Sequence, residues 1–267
     1  MVFDAQQVQR AETLLFLVPG ALISTDIFDP VKNWREPGYA PIYYRFPGQD
    51  GLSLDHSLGI ETAAAQIAEF ANRYPEKSVR ILGYSTGGPI GIIASDAIHT
   101  SDVRVAAMST GVTRAGGLGT ALRTSGDVLA SVLRVGALDR KTVWLEYYRT
   151  LLFGRDGRRD PALADRIDQL AAAKRETIVI PSWELANAHS QDLRRWTLPK
   201  DFSVDPARVR LFVGLSDPVF STSQTRRFSH QLGGVRIYGY PGQGHLLFLT
   251  RPDVFEDVLA FFTAVPG

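Results

Sequence analysis

Gly83-Tyr84-Ser85-Thr86-Gly87, followed at once by Gly88, fits the pattern G-x-S-x-G, in which a serine stands on a strand-to-helix turn too sharp for bulky neighbours. Glycine meets both needs of such a turn, small size and backbone angles that other residues avoid. A five-residue pattern with three fixed positions also arises by chance, so the flanks decide. Upstream, Ser78-Val79-Arg80-Ile81-Leu82-Gly83-Tyr84 is a short apolar and β-branched run; downstream, Pro89 to Ile98 is an apolar segment of helical length. Strand, turn and helix therefore follow in the required order. A helix that starts just after Ser85 points its amides and positive dipole end at the serine, which suits a transient oxyanion.

A serine hydroxyl is a weak nucleophile until a base takes its proton, and the chain has five histidines. His245 lies in Gly242-Gln243-Gly244-His245, after the strand-like Val235 to Tyr240 and before a closing helical segment, Pro252 to Ala264. A loop at a strand end lets it swing to the nucleophile. His99 sits too far along the helix after the turn, at about 1.5 Å of rise per residue. His56 precedes an amphipathic helix and His230 lies in a polar helix with Arg226 and Arg227, so both read as solvated, and His189, inside a long insertion, reads as structural or as a pocket residue. The imidazole needs a carboxylate to set its tautomer. Asp217 ends the strand-like run Val209 to Leu215 and precedes Pro218, so turn chemistry alone would explain it. The chain order Ser85, Asp217, His245 favours the catalytic reading. The strand Val103 to Met108 is followed by Ser109-Thr110-Gly111 and offers no competing acid. Acyl transfer also calls for two amides aimed at the oxyanion. The Thr86 N–H supplies one, and the loop Pro19-Gly20-Ala21-Leu22 after the first apolar strand supplies the other, from Ala21 or, in reserve, Leu22.

On these residues the chain resembles the α/β-hydrolase superfamily along its whole length, in the single-domain serine esterase, lipase and thioesterase type with a helical cap. Relatives commonly carry His-Gly in the oxyanion loop; here Pro19 stands at the histidine position. The resemblance implies an α/β fold with a mostly parallel central sheet flanked by helices. Alternation along the chain agrees, with strands expected near 13–18, 40–46, 79–84, 103–108, 208–214 and 235–240, mostly separated by helices. One helix buries Ala64, Ile67, Ala68 and Ala71; another, near the end, buries Val254, Val258, Leu259 and Phe262. In such sheets ligands bind at the carboxyl ends of the strands, where all three residues fall.

The interval between Met108 and Arg208 breaks the alternation and reads as the cap. Residues 1–111 and 206–267 then form the core, with 112–205 inserted between them. Gly116 to Gly119 reads as a hinge into the cap, and helices are expected around Leu129, Trp144 and Leu163. Trp144, Tyr147, Tyr148, Phe153, Trp183 and Trp196 are candidates for an acyl pocket, although most aromatics at helical spacing serve packing.

With 267 residues and 45% hydrophobic composition the chain suffices for one sizeable core. A net charge of +1 with signs interspersed points away from nucleic acid, the Arg155, Arg158 and Arg159 cluster reading as a solvated turn. No cysteine means no disulfide and no thiol chemistry, and no histidines pair at metal-ligand spacing. Leu14 to Ile23 is too short to span a bilayer and carries a core strand rather than a leader. A cytoplasmic location is expected. The leading expectation is a metal-independent, cofactor-free serine hydrolase acting on a small-molecule carboxylic ester. An acyl thioesterase, served by an acyl carrier protein or coenzyme A, is the alternative among enzymes. A ligand receptor on the hydrolase scaffold is the alternative of another class.

Overall fold

The computed structural model describes the chain except residues 35–37, 57, 112–125, 127, 135, 137–138, 177–179, 201 and 265–267, and the side chains of residues 33 and 190–195. Six strands form the sheet: β1 (Thr13–Val18), β2 (Tyr39–Tyr43), β3 (Ser78–Tyr84), β4 (Val103–Met108), β5 (Val209–Gly214) and β6 (Arg236–Tyr240). Their order is β2-β1-β3-β4-β5-β6, and every neighbouring pair is parallel. Apolar side chains on both faces of β1 and β3 account for the burial of those strands on both sides. Leu14, Phe16 and Val18 pack into one layer, Leu15 and Leu17 into the other.

Helix α1 (Ala5–Arg10) precedes β1, and helices α2 (Ile60–Ala71) and α3 (Gly87–Asp96) cover the first face, where Ala64, Ile67, Ala68 and Ala71 are buried as their spacing predicts. The second face is closed by a 3-10 segment (Thr25–Asn33) and the last helix, α9 (Val254–Thr263). Leu259 lies at the margin of that layer, half-buried, and Phe255 is buried in its place. At the amino ends of the strands, Arg80 and Arg104 donate to the carbonyls of Phe262 (3.1 Å) and Phe261 (2.7 Å), satisfying the end of α9. Burial raises the Asp102 carboxyl, but hydrogen bonds from Arg80 and Ser78 and the charges of Arg80 and Arg104 outweigh it and hold the group below its usual value.

Between β4 and β5 comes the helical insertion. It holds a helical stretch at 128–134, then α4 (Arg140–Gly157), α5 (Ala164–Arg175) and α6 (Trp183–Arg195). The buried Glu146 carboxylate ties it together, accepting from Arg134 (3.0 Å) and Arg158 (2.9 Å), so Arg158 is partnered rather than part of a solvated turn. The expected hinge at Gly116 to Gly119 lies outside the described residues. After β5 come α7 (Thr222–Gln231) and the single turn α8 (Leu247–Thr250).

The chain leaves β1 for β2 on one side and returns to β3 on the other, so the sheet switches direction between β1 and β3. A crevice outside the carboxyl ends forms at such a switch. Gly20 follows β1 there and Ser85 follows β3.

Candidate active site

Ser85 sits at φ +51°, a conformation L-residues rarely adopt, and its N–H donates to the Met108 carbonyl at 2.8 Å. Among the described residues, four non-glycine residues have positive φ: Leu22, Asp50, Ser85 and Ser109. Backbone strain of this kind, on the order of 1–3 kcal/mol each, persists where surrounding structure holds it. The glycines of the turn let the chain approach itself. A Cβ on Gly83 would lie 2.2 Å from the Gly87 carbonyl oxygen, and one on Gly87 would lie 2.1 Å from that of Val18. Helix α3 begins at Gly87, with Thr86 at its N-cap.

Asp217 and His245 meet. His245 Nδ1 donates to Asp217 Oδ2 at 2.8 Å, and both residues are buried. Asp217 Oδ1 accepts from the N–H groups of Val219 (2.7 Å) and Phe220 (3.0 Å). Turn chemistry and imidazole orientation, set against each other in the sequence, thus use different oxygens of one carboxylate. With Nδ1 protonated, Nε2 is left as the proton acceptor. No hydrogen bond joins Ser85 to His245 among the described residues; in hydrolytic sites such contacts are often long until substrate tightens them.

Three further hydrogen bonds hold the His245 segment, none of them expected from the sequence. Tyr84, the residue before Ser85, donates its hydroxyl to the His245 carbonyl at 3.1 Å, with ring centroids 5.4 Å apart. Burial, and then the charge of Asp217, push the Tyr84 phenol well above its usual value, so it remains a donor. The amides on either side of His245 donate to α4: Gly244 to the Leu152 carbonyl (2.9 Å) and Leu246 to that of Leu151 (3.1 Å). Those carbonyls are released from the helix ladder by a kink at Gly154, where φ is 75° and ψ is −175°. Only glycine is at ease there, and a Cβ would lie 2.1 Å from the Ser216 carbonyl oxygen. Gly154→Ala is therefore expected to cost at least about 2 kcal/mol of folding stability, from backbone strain plus collision. A urea midpoint equal to that of wild type would contradict this.

Leu22 sits at φ +63°, and its N–H is occupied. With the Gln49 amide turned so that both neighbours are satisfied, Gln49 Oε1 accepts from Leu22 N–H (2.8 Å) and Ile23 N–H (2.9 Å). That removes Leu22 as an oxyanion donor. The Ala21 and Thr86 N–H groups have no backbone acceptor among the described residues. Gly20 brings the two loops together, since a Cβ on it would lie 3.0 Å from Ser85 Cβ.

A family model described as Alpha/beta hydrolase family matches residues 15–258. The chain belongs to that family. Among curated proteins none matches the sequence. Solved structures do match. An esterase from Exiguobacterium antarcticum is 18% identical, with 95% of this chain and 92% of that one covered and a TM-score of 0.67. An enol-lactonase from Burkholderia xenovorans LB400 is 14% identical, with 98% and 95% covered and a TM-score of 0.69. Rv0554 from Mycobacterium tuberculosis is 17% identical, with 96% and 92% covered and a TM-score of 0.70. At these identities the likeness is one of fold.

Beside the site this α/β hydrolase has a cavity of about 340 Å³, lined by both Ala21 and His245. Its walls are mostly apolar, from Trp144, Tyr147, Tyr148 and Leu151 of the insertion and Phe248 and Leu249 of α8; Ser24, Asp26 and Lys174 add polar groups. Of the aromatic residues considered for a pocket, Trp144, Tyr147 and Tyr148 line it. Phe153 and Trp196 are packed, whereas Trp183 is 72% exposed beneath the Arg140 guanidinium. His189 is buried away from this cavity, its Nε2 donating to the Pro47 carbonyl at 2.8 Å. His99 lies just past the end of α3, beyond reach of Ser85 along the helix. Among the described residues no group of three or more His, Asp or Glu side chains could hold a metal, and no helix is long and apolar enough to cross a membrane.

Proposed function

We propose that this hydrolase cleaves carboxylic esters through an acyl-enzyme on Ser85. The observation that carries the reading is the 2.8 Å His245–Asp217 hydrogen bond beside a serine held at positive φ. Ser85 Oγ attacks the ester carbonyl while His245 Nε2 takes its proton, and the carbonyl oxygen becomes the oxyanion, met by the Ala21 and Thr86 amides. The intermediate collapses, the C–O bond to the alcohol breaks, and His245 returns the proton to the departing alkoxide. Water then loses a proton to His245 and attacks the acyl carbon. Ser85 leaves with that proton and the carboxylic acid is released. Asp217 stays ionised throughout and steadies the imidazolium. These side chains and amides supply every group the reaction needs.

An apolar cavity of about 340 Å³ beside Ala21 and His245 suits a small apolar acyl or alcohol group. The proteins that share this fold include one named an esterase and one named an enol-lactonase, in keeping with the oxygen-ester reading. We take residues 112–205 as the cap that shapes this cavity. The test is a fluorophosphonate probe with peptide mapping. A single adduct on Ser85, with p-nitrophenyl ester hydrolysis falling in proportion to labelling, is the expected result. Protein that turns over no ester and takes no label would sink the proposal. Parallel panels of esters and coenzyme A thioesters of equal chain length then measure the preference between the two.

A further inference from the structure

We infer that Gln49 is a positioning residue for the oxyanion loop, an inference that rests on the serine-hydrolase reading above. Its amide oxygen accepts two successive backbone N–H groups, Leu22 (2.8 Å) and Ile23 (2.9 Å). These bonds fix the two peptide planes that follow Ala21, whose own amide has no backbone acceptor among the described residues. Gln49 is buried, and a buried amide costs stability unless its polar atoms are paired. The pairing falls on a loop that needs it: Leu22 has φ +63°, a region that disfavours a side chain with Cβ. Without Gln49 the Leu22 amide has no acceptor and Ile23 N–H keeps only its longer bond to the Gly20 carbonyl (3.3 Å), so the loop relaxes toward an ordinary turn and Ala21 moves with it.

Gln49 is itself held firmly. Its N–H donates to the Phe46 carbonyl (3.1 Å), its own carbonyl accepts from Leu52 N–H (2.9 Å), and Gly48 N–H closes the loop onto the Ser53 carbonyl (3.1 Å). Asp50 extends the grip, accepting from Ser24 Oγ (2.6 Å) and Thr25 Oγ1 (3.3 Å). Residues 22–25 are therefore fastened along their length to residues 49 and 50. The same loop is backed by α6 of the insertion. His189 Nε2 donates to Pro47 (2.8 Å), and a Cβ on Gly48 would come within 2.7 Å of Leu185 Cδ1. The inserted helix and the loop after β1 thus both bear on residues 47–50, the helix through Pro47 and Gly48 and the loop through Gln49 and Asp50.

Two variants and one measurement test this. Gln49→Met keeps the length of the side chain and loses the acceptor, whereas Gln49→Glu keeps an acceptor. With p-nitrophenyl butyrate, Q49M is expected to lower kcat by roughly 100-fold, as for a displaced oxyanion donor, with KM within about threefold of wild type. Q49E is expected to recover most of that loss. Amide hydrogen exchange at Leu22 is expected to be slow in wild type and fast in Q49M, with a smaller change at Ile23, which keeps the Gly20 carbonyl. A Q49M kcat within about threefold of wild type overturns the inference. So does an equal loss in Q49M and Q49E, or exchange at Leu22 and Ile23 as fast in wild type as in an open loop. That last result is read on wild type and stands even if Q49M does not fold. If wild type takes no fluorophosphonate at Ser85 and turns over no ester, the serine-hydrolase reading has failed and the positioning role falls with it. Labelled, active wild type with an unaffected Q49M fails only the claim about Gln49.

Discussion

Ser85→Ala is expected to lower kcat for ester hydrolysis by about 10⁵- to 10⁶-fold, which is about 7–8 kcal/mol of transition-state stabilisation. KM and the thermal unfolding midpoint should stay close to wild type. The size follows from what is lost: without Oγ there is no covalent intermediate, and water must attack directly. The alanine keeps the backbone in place, because Ser85 N–H still donates to Met108 and Gly88 N–H to the Ser85 carbonyl, bonds that need no side chain. A Cβ at φ +51° is already present in serine, so no new strain arises. Ester turnover by the purified variant, after correction for the uncatalysed rate, reads the effect. Equal turnover in both proteins would remove Ser85 from the chemistry.

The elbow could be read from sequence because its constraints are local. Gly83 is small for a reason confined to a few residues, since a Cβ on it would strike the backbone of Gly87 and Gly88; Gly87, fixed in the same pattern, is held small by the distant Val18 carbonyl of β1. The strand ends carrying Asp217 and His245 are legible for a similar reason, since apolar runs mark the strands and the candidate acid and base lie in the turns that follow. Where the strands lie was read to within a residue at most ends. The second strand, expected to reach residue 46, instead stops at Tyr43, and the chain enters the compact loop that presents Gln49.

What escaped the sequence depends on distant partners. Helix α6 has a polar sequence, Trp183-Glu184-Leu185-Ala186-Asn187-Ala188-His189 onward, and its seat is set by Pro47 and Gly48, more than a hundred residues earlier. Gln49 carries no motif, because an amide side chain that accepts from a loop is recognisable only once the loop is beside it. Gly154 did leave a trace as a glycine inside a helical pattern. That it frees the Leu151 and Leu152 carbonyls for the amides flanking His245 depends on the packing of the insertion against the loops after β5 and β6. The insertion therefore does more than roof a cavity: its longest helix is a structural support of the candidate base. Changes within α4 should alter rate as well as substrate preference.

Asp217→Asn is the sharper test of how the site works, with an expected loss in kcat of about 10⁴-fold at little cost in stability. The two carboxylate oxygens have separate duties, so the variant divides them. Asparagine Oδ1 still accepts from the Val219 and Phe220 amides, and the turn after β5 persists. Nδ2 then occupies the place of Oδ2, 2.8 Å from His245 Nδ1. Because Nδ2 is only a donor, the imidazole must accept at Nδ1 and carry its proton on Nε2. In that tautomer Nε2 has no lone pair for the Ser85 proton. The imidazolium also loses its neighbouring negative charge. Asp217→Ala forfeits the turn bonds as well and should unfold more readily than D217N, while D217N should match wild type in urea. The rate of fluorophosphonate labelling needs the same activated serine and should fall alongside kcat. Turnover by D217N within about tenfold of wild type would mean that the His245 tautomer does not govern the reaction, and that the Asp217–His245 contact serves packing alone.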